Sequence, residues 1–254
     1  MLQIKNTLGG GKPEGLYVWK KYEYIPDSYL SFLGNEDFKL ATYNTTKNWD
    51  GILEYSTDAI TWSTWDGTEI LSSRKKLYLR GTGNTVITGN SNNNSFSFLT
   101  PSDTSTISCE GNIESLLDYK TVAAGNHPPM GSYCFAYLFD YFYNLVNLPE
   151  LPATTLSEGC YASMFHNCPN LTTVPKLPAT ELAMGCYQDM FKDCTSIKVS
   201  STQSGEYQTV YRIPTSGTGT EGTNSLSEMF TGTGGTFTGT PTINTTYYTS
   251  NTVV

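Results

Sequence analysis

The sequence predicts a mainly β chain with short helices: a small N-terminal β-domain, then a short repeat solenoid with a 26-residue period. Three observations lead there. Residues 148–173 and 174–199 are identical at 12 of 26 aligned positions, where chance gives about one or two. Charged residues make up only 15% of the 254 and aromatics reach 13%; with the abundance of Thr, Ser, Asn and Gly, that mix suits pleated surfaces and tight turns better than helical bundles. All four Trp (Trp19, Trp49, Trp62, Trp65) lie in the first 65 residues, whereas five of six Cys lie between 134 and 194. Two regions therefore follow different construction rules.

Residues 1–35 read as an N-terminal arm, in which Gly9, Gly10, Gly11 and Pro13 precede the apolar strand "GLYVWKKYEY". Residues 36–110 read as the β-domain, a small sandwich or partial barrel. There "GILEYSTDAITWSTWDG" has two alternating runs joined by a polar turn at Ser56 to Asp58, the pattern of a hairpin. "KKLYLRGTG", "NTVITG" and "SFSFLT" add short strands separated by Gly and Asn turns. Arg74, Lys75, Lys76 and Arg80 form the one basic cluster, read as a solvated strand edge guarded against aggregation.

Residues 111–206 hold the solenoid and 207–254 an irregular terminal repeat with a C-terminal cap. "CYASMFHNC" and "CYQDMFKDC" are bounded by Cys160 and Cys168, and by Cys186 and Cys194. A degraded copy begins at Cys134, and a later one places Met229 and Phe230 one period plus a 13-residue insertion downstream of Met190 and Phe191. Leu156, Cys160, Met164 and Cys168, with Phe165 beside them, are four apart and are assigned to one face of a short helix. Leu182, Cys186, Met190, Phe191 and Cys194 repeat the set. Stacking at one strand spacing, about 4.8 Å, turns these residues into core ladders, with the cysteines as columns of small, soft side chains. "GNIESLLDY" is read as the N-terminal cap of the array.

Other readings of the cysteines fare less well. Their spacing matches no zinc motif, and His127 and His166 are the only imidazoles, so no metal and no cofactor is expected. Adjacent copies bring Cys160 and Cys186 within disulfide reach, which leaves a bridge as the alternative to thiol columns. The N-terminus carries no secretory h-region as written, and a chain held in a reducing cytoplasm keeps thiols.

A net charge of −8 argues against nucleic acid as a partner, and no apolar run reaches membrane-spanning length. Catalysis is not expected: neither a nucleophile elbow, a zinc-protease helix nor a phosphate loop occurs. A carboxylate pair for glycoside hydrolysis, assembled from distant residues, is the third-ranked alternative.

"LPATTLSEGCYASMFHNCPNLTTVPKLPAT" closely resembles the BspA-like leucine-rich repeats, whose pattern is CYxxMFxxCxxLTxxPxLPATxLxxx. "LYLRGTGNTVITG" and "GNIESLLDY" upstream, and "YRIPTSGTGT" and "GTFTGTPTINTTYYTS" downstream, are similar to segments that accompany such repeats in proteins of gut bacteria and their phages, many of them tail or host-attachment proteins. The resemblance implies a solenoid that binds rather than catalyses. This chain departs from it at Phe142, where Cys is the rule, and at Ser200 and Ser201, where the preceding copy has Val174 and Pro175. The function implied is phage or prophage tail-associated recognition of a host cell-surface protein or glycan. Other tail proteins, or further copies of the chain, are possible partners. The implied location is a virion tail, after synthesis in the bacterial cytoplasm; a bacterial surface adhesin is the alternative.

Candidate binding residues are those that change between otherwise matching copies: His166 against Lys192, Asn167 against Asp193, and Lys198 against Thr172. Gln188 and Asp189, against Ala162 and Ser163, join them. Trp62 could add a sugar platform with Trp65, Tyr55 and Trp49. Trp62 and Trp65 lie three apart, however, and point to opposite faces of a regular strand, which assigns one of them to the core. The 200–225 insertion is a second candidate, as a long loop on a rigid scaffold. "YSTDAITW" is similar to an Asp-box that lacks one residue and carries Ile60 near the position of its Gly.

Overall fold

The structure, a computed structural model, describes residues 29–254 except 101, 103, 214, 215, 217–223 and 244. The strand read in "GLYVWKKYEY", Trp19 and part of the 200–225 insertion therefore lie outside the described residues. Among those described, the fold is mainly β, with several small sheets and one short helix.

The first strands are β1 (Leu30–Gly34), β2 (Lys39–Thr42), β3 (Ile52–Ser56), β4 (Ser63–Trp65), β5 (Ile70–Leu71), β6 (Lys76–Thr82), β7 (Phe96–Leu99) and β8 (Ile107–Glu110). With β9 (Leu145–Asn147), six of them form one sheet in the order β4-β3-β6-β1-β8-β9. A second sheet runs β5-β2-β7. Phe32 of β1 meets Phe98 of β7 at 5.0 Å, and Trp65 of β4 meets Phe96 at 5.5 Å, so the two sheets share a core. Residues 30–34, which the sequence assigned to the arm, are instead an interior strand of the larger sheet. "LSFLG" alternates, and Leu30 and Phe32 are wholly buried between neighbours.

The expected hairpin is present as β3 and β4, with Leu53 opposite Trp65. "NTVITG", expected as a strand, is not one. Asp50 Oδ1 accepts the N–H groups of Thr85 and Val86 at 2.9 and 3.1 Å, and the Ile87 N–H goes to the Cys134 carbonyl. Side chains and the repeat region capture the donors that a ladder needs. The helix α1 (Ser115–Ala123), interrupted at Asp118, lies against β6 at Gly81. A Cβ there would stand 1.6 Å from the Leu116 carbonyl oxygen, so only glycine permits the approach.

The parallel pairing of β8 with β9 carries the sheet into the repeats. Strands β10 (Thr173–Val174) and β11 (Val199–Ser200) recur at the equivalent place in the next two copies. The C-terminal segment closes onto them. Of β12 (Thr209–Tyr211), β13 (Tyr247–Thr249) and β14 (Thr252–Val253), β13 pairs with β11 and β12, and β14 with β10. Asn251 ties the two copies, donating to the Thr172 and Ser196 carbonyls at 2.9 and 3.1 Å.

The expected helical face is not helical. In 133–142, 159–168, 185–194 and 224–233 the backbone enters the left-handed region at every fourth residue. These positions are Tyr133, Tyr137 and Tyr141; Gly159, Ser163 and Asn167; Gly185, Asp189 and Asp193; and Asn224, Glu228 and Gly232, with φ between 52° and 76°. A left-handed residue at that interval breaks an α-helix before its second turn. Alternate N–H groups then split their duties. Cys160, Ala162, Met164 and His166 donate three residues back, whereas Gly159, Tyr161, Ser163, Phe165 and Asn167 donate at 2.8–3.1 Å to carbonyls of the next copy. Each segment is a ribbon of linked turns, hydrogen-bonded sideways to its neighbour.

The ladder residues fill the inner face of these ribbons. Phe139, Phe165, Phe191 and Phe230 stack nearly parallel with centroids 5.5–5.8 Å apart, and Phe135, Tyr161 and Tyr187 do so at 5.9–6.0 Å. These spacings exceed one strand separation because stacked rings meet displaced from one another. Cys160, Met164, Cys168, Leu182, Cys186, Met190 and Cys194 are buried, and Leu156 packs partly buried against them. All six cysteines are free thiols. Cys168 Sγ donates to the Phe139 carbonyl at 3.1 Å and Cys194 Sγ to the Phe165 carbonyl at 2.8 Å, a link that Phe142 cannot make in the first copy.

Candidate functional site

The residues that differ between copies sit on the outer side of the ribbons and mostly engage one another. His166 Nδ1 lies 2.8 Å from Asp140 Oδ1 in the preceding copy, and its Nε2 lies 3.7 Å from Asp193 in the following one. The hydrogen bond to Asp140 raises the His166 pKa above its ordinary value, against the opposing effect of burial. Lys192 pairs with Asp189 at 3.4 Å and with Glu228, and the Glu228 hydrogen bond raises its pKa. Gln188 Nε2 donates to Asp189 at 3.3 Å. One charged row thus runs across the copies, joining His166, Asp189, Lys192 and Asp193, with Gln188 at its side. Asn167 holds a left-handed position beside it.

Lys198 stands apart, next to β11, and pairs with Glu206 at 3.3 Å. Trp62 is also remote. It lies against the Arg80 guanidinium at 4.0 Å and the Tyr29 ring at 5.1 Å, while Glu54 holds Arg80 Nε at 2.8 Å. Trp65 is buried and stacks on Trp49 at 5.1 Å, so these tryptophans form no shared platform. Asp58, in the hairpin loop, accepts from the Thr61 and Ile60 N–H groups at 2.7 and 2.8 Å, which lowers its pKa to about 2. Its hydrogen bonds fold the loop.

The feature that the sequence reading missed is a row of tyrosines. In the first ribbon, Tyr133, Tyr137 and Tyr141 occupy the left-handed positions that Gly, Ser, Asn, Asp and Glu hold in the other three. A left-handed conformation costs a bulky L-residue roughly 1–2 kcal/mol, so each tyrosine sits where local preference disfavours it. Tyr133 lies over Gly159 of the next copy, where a Cβ would meet its ring at 2.3 Å, and its hydroxyl donates to Glu158 at 3.2 Å. Tyr141 meets the His166 ring edge-on at 5.2 Å. The detectable signal was the four-residue spacing of Tyr in "YCFAYLFDY" set against Gly159, Ser163 and Asn167.

At the Tyr141 end a cleft of about 210 Å³ opens between the first ribbon and β7, lined by Tyr43, Ser97, Asp140, Tyr141, Tyr143 and Asn144 among others. Tyr43, Tyr141 and Tyr143 remain 66%, 51% and 50% exposed. Three tyrosine rings beside a carboxylate and an imidazole give wide amphipathic contact with polar acceptors at its edge. Among the described residues, no group of three or more His, Cys, Asp or Glu is placed to hold a metal ion. No helix there is long and apolar enough to cross a membrane. Compared with known proteins, the chain matches no family model, no curated protein and no solved structure.

Proposed function

We propose that this chain is a non-catalytic binding protein of a phage or prophage tail, attaching to a protein or glycan of the host cell surface. Its stacked copies read as a short BspA-like leucine-rich-repeat solenoid, and its binding face is the outer ridge of the first ribbons. The tyrosines at left-handed positions carry the reading. Tyr141, kept against backbone preference, half-exposed and lining the cleft, supports a surface retained for recognition, and the less exposed Tyr133 and Tyr137 continue its row along the ribbon. The charged row from His166 to Glu228 extends this face across the copies, giving the several-rung span that a specific interface needs.

The test replaces Tyr137 and Tyr141 together with Asn, a residue that tolerates the left-handed region. Wild type and variant are compared for binding to envelope fractions from a panel of gut-bacterial strains. The variant is expected to keep or raise its melting temperature and to lose at least about tenfold in affinity, the equivalent of ~1.4 kcal/mol. Trp62→Ala is expected to retain binding. Binding that survives the tyrosine changes and disappears with Trp62→Ala moves recognition to the β-domain and ends this reading.

A further inference from the structure

A second cavity, of about 260 Å³, lies between the segment after α1 and the entry to the second ribbon, with none of its lining residues shared with the Tyr141 cleft. Glu114 forms its floor and is 1% exposed. The two carboxylate oxygens differ in their surroundings. Oε2 faces His127 Nδ1 at 2.7 Å, whereas Oε1 is buried and has no hydrogen-bond partner. Burial raises the Glu114 pKa, and the His127 contact draws it part of the way back. A buried acceptor without a donor is costly to a fold and uncommon, so it calls for an explanation.

Glu114 is the one carboxylate among the residues that line the cavity, and the others set what can approach it. Pro128, Pro129, Met130 and Leu156 supply aliphatic wall, and the exposed Thr154 and Thr155 stand at the rim. The Ser157 hydroxyl is turned to the Gly131 carbonyl at 2.7 Å. No lysine or arginine lines the space, so nothing in its wall offers Oε1 a permanent cation. The complement is a donor-rich, positively charged head on a short apolar stem. We propose that this cavity binds a primary ammonium carried on an aliphatic chain, with the ammonium on Glu114 and the methylenes against Pro129, Met130 and Leu156. Both a free alkylamine and the lysine side chain of a partner protein present that chemistry. At about 260 Å³ the cavity has room for one short aliphatic ammonium and lies near the lower end, about 300 Å³, of the range for small-molecule sites.

The experiment uses the whole chain labelled at its methionine methyl groups. n-Butylammonium, the isosteric n-butanol and a capped Gly-Lys-Gly peptide are each titrated, with NMR and calorimetry as readouts. Saturable binding is expected for n-butylammonium or the lysine peptide, with a shift of the Met130 methyl signal. Glu114→Gln is expected to weaken it at least tenfold, and n-butanol not to compete. Thr155→Trp, which fills the rim without touching the carboxylate, is expected to block entry, and covers the case in which the Glu114 variant does not fold. Tighter binding of the peptide assigns the site to a lysine of a protein; equal or tighter binding of n-butylammonium assigns it to a free amine. The proposal is overturned if neither cation binds at roughly ten times a millimolar Kd, if n-butanol binds as well as the cation, or if a folded Glu114→Gln or Thr155→Trp variant binds undiminished. Tyr137 and Tyr141 are not among the residues that line this cavity, so their changes leave the titration unaltered and the two readings stand or fall separately.

Discussion

Asn167 separates a ribbon of turns from an α-helix by the sign of one comparison. Its φ is 59°, and its N–H donates at 2.8 Å to the Lys192 carbonyl of the next copy. Replacement by Gly and by Ala removes the same side chain and keeps that donor, so the effect of the Asn side chain cancels between the two variants. In the left-handed region Ala suffers a Cβ clash that Gly avoids, and even after the extra freedom of Gly in the unfolded chain the balance favours Gly by about 1 kcal/mol. In a helix interior the order reverses, with Ala favoured by about 1 kcal/mol. The two backbones therefore differ by about 2 kcal/mol in the Ala-minus-Gly stability. Urea unfolding of both variants measures it directly. In thermal melts, 1 kcal/mol moves a chain of this size by roughly 2–4 °C. The ribbon predicts the Gly variant to be the more stable, and the same order at Ser163, whose φ is 52°. An Ala variant more stable than its Gly counterpart at both positions would refute the left-handed ribbon and restore the helix.

Two further outcomes follow from the buried groups. His166 has its pKa raised by Asp140, so the stability it contributes is fully present below the unfolded value near 6.5 and is lost as pH rises through the folded one. The urea midpoint should fall across that window in wild type, and His166→Gln or Asp140→Asn should flatten this part of the profile; an unchanged slope in both variants would sink the assignment. Burial raises the Cys186 thiol to about 12 and that of Cys160 further still, so reaction with a thiol reagent at pH 8 should track unfolding in urea. Rapid labelling of all six cysteines in native buffer would contradict thiols packed in the core.

What could be read from the sequence was whatever repeats in the buried layer. Gly159, Cys160, Tyr161, Met164, Phe165 and Cys168 recur 26 residues later, and such a pattern has to satisfy one stacking geometry in every copy, which is why the ladder was visible. The backbone beneath it was misread, although the clue was present. Residues at i, i+4, i+8 and i+12 on a true α-helix drift by about 120° around the axis, so an unbroken four-residue apolar row already argues for a four-residue backbone repeat. The variable positions carry a second signal. Ser163 against Asp189 and Asn167 against Asp193 vary within the set of residues that accept a positive φ, so their variation reports backbone tolerance as much as any ligand. The contact of Glu114 with His127 was invisible, since a 13-residue separation spanning a helix has no pattern of its own. The tyrosines of the first ribbon lie between these cases. They are out of place only once the other three ribbons have shown which residues the left-handed positions prefer. Only in the first ribbon does one large amphipathic ring take all three left-handed positions, each at a local backbone cost that its surroundings have to offset.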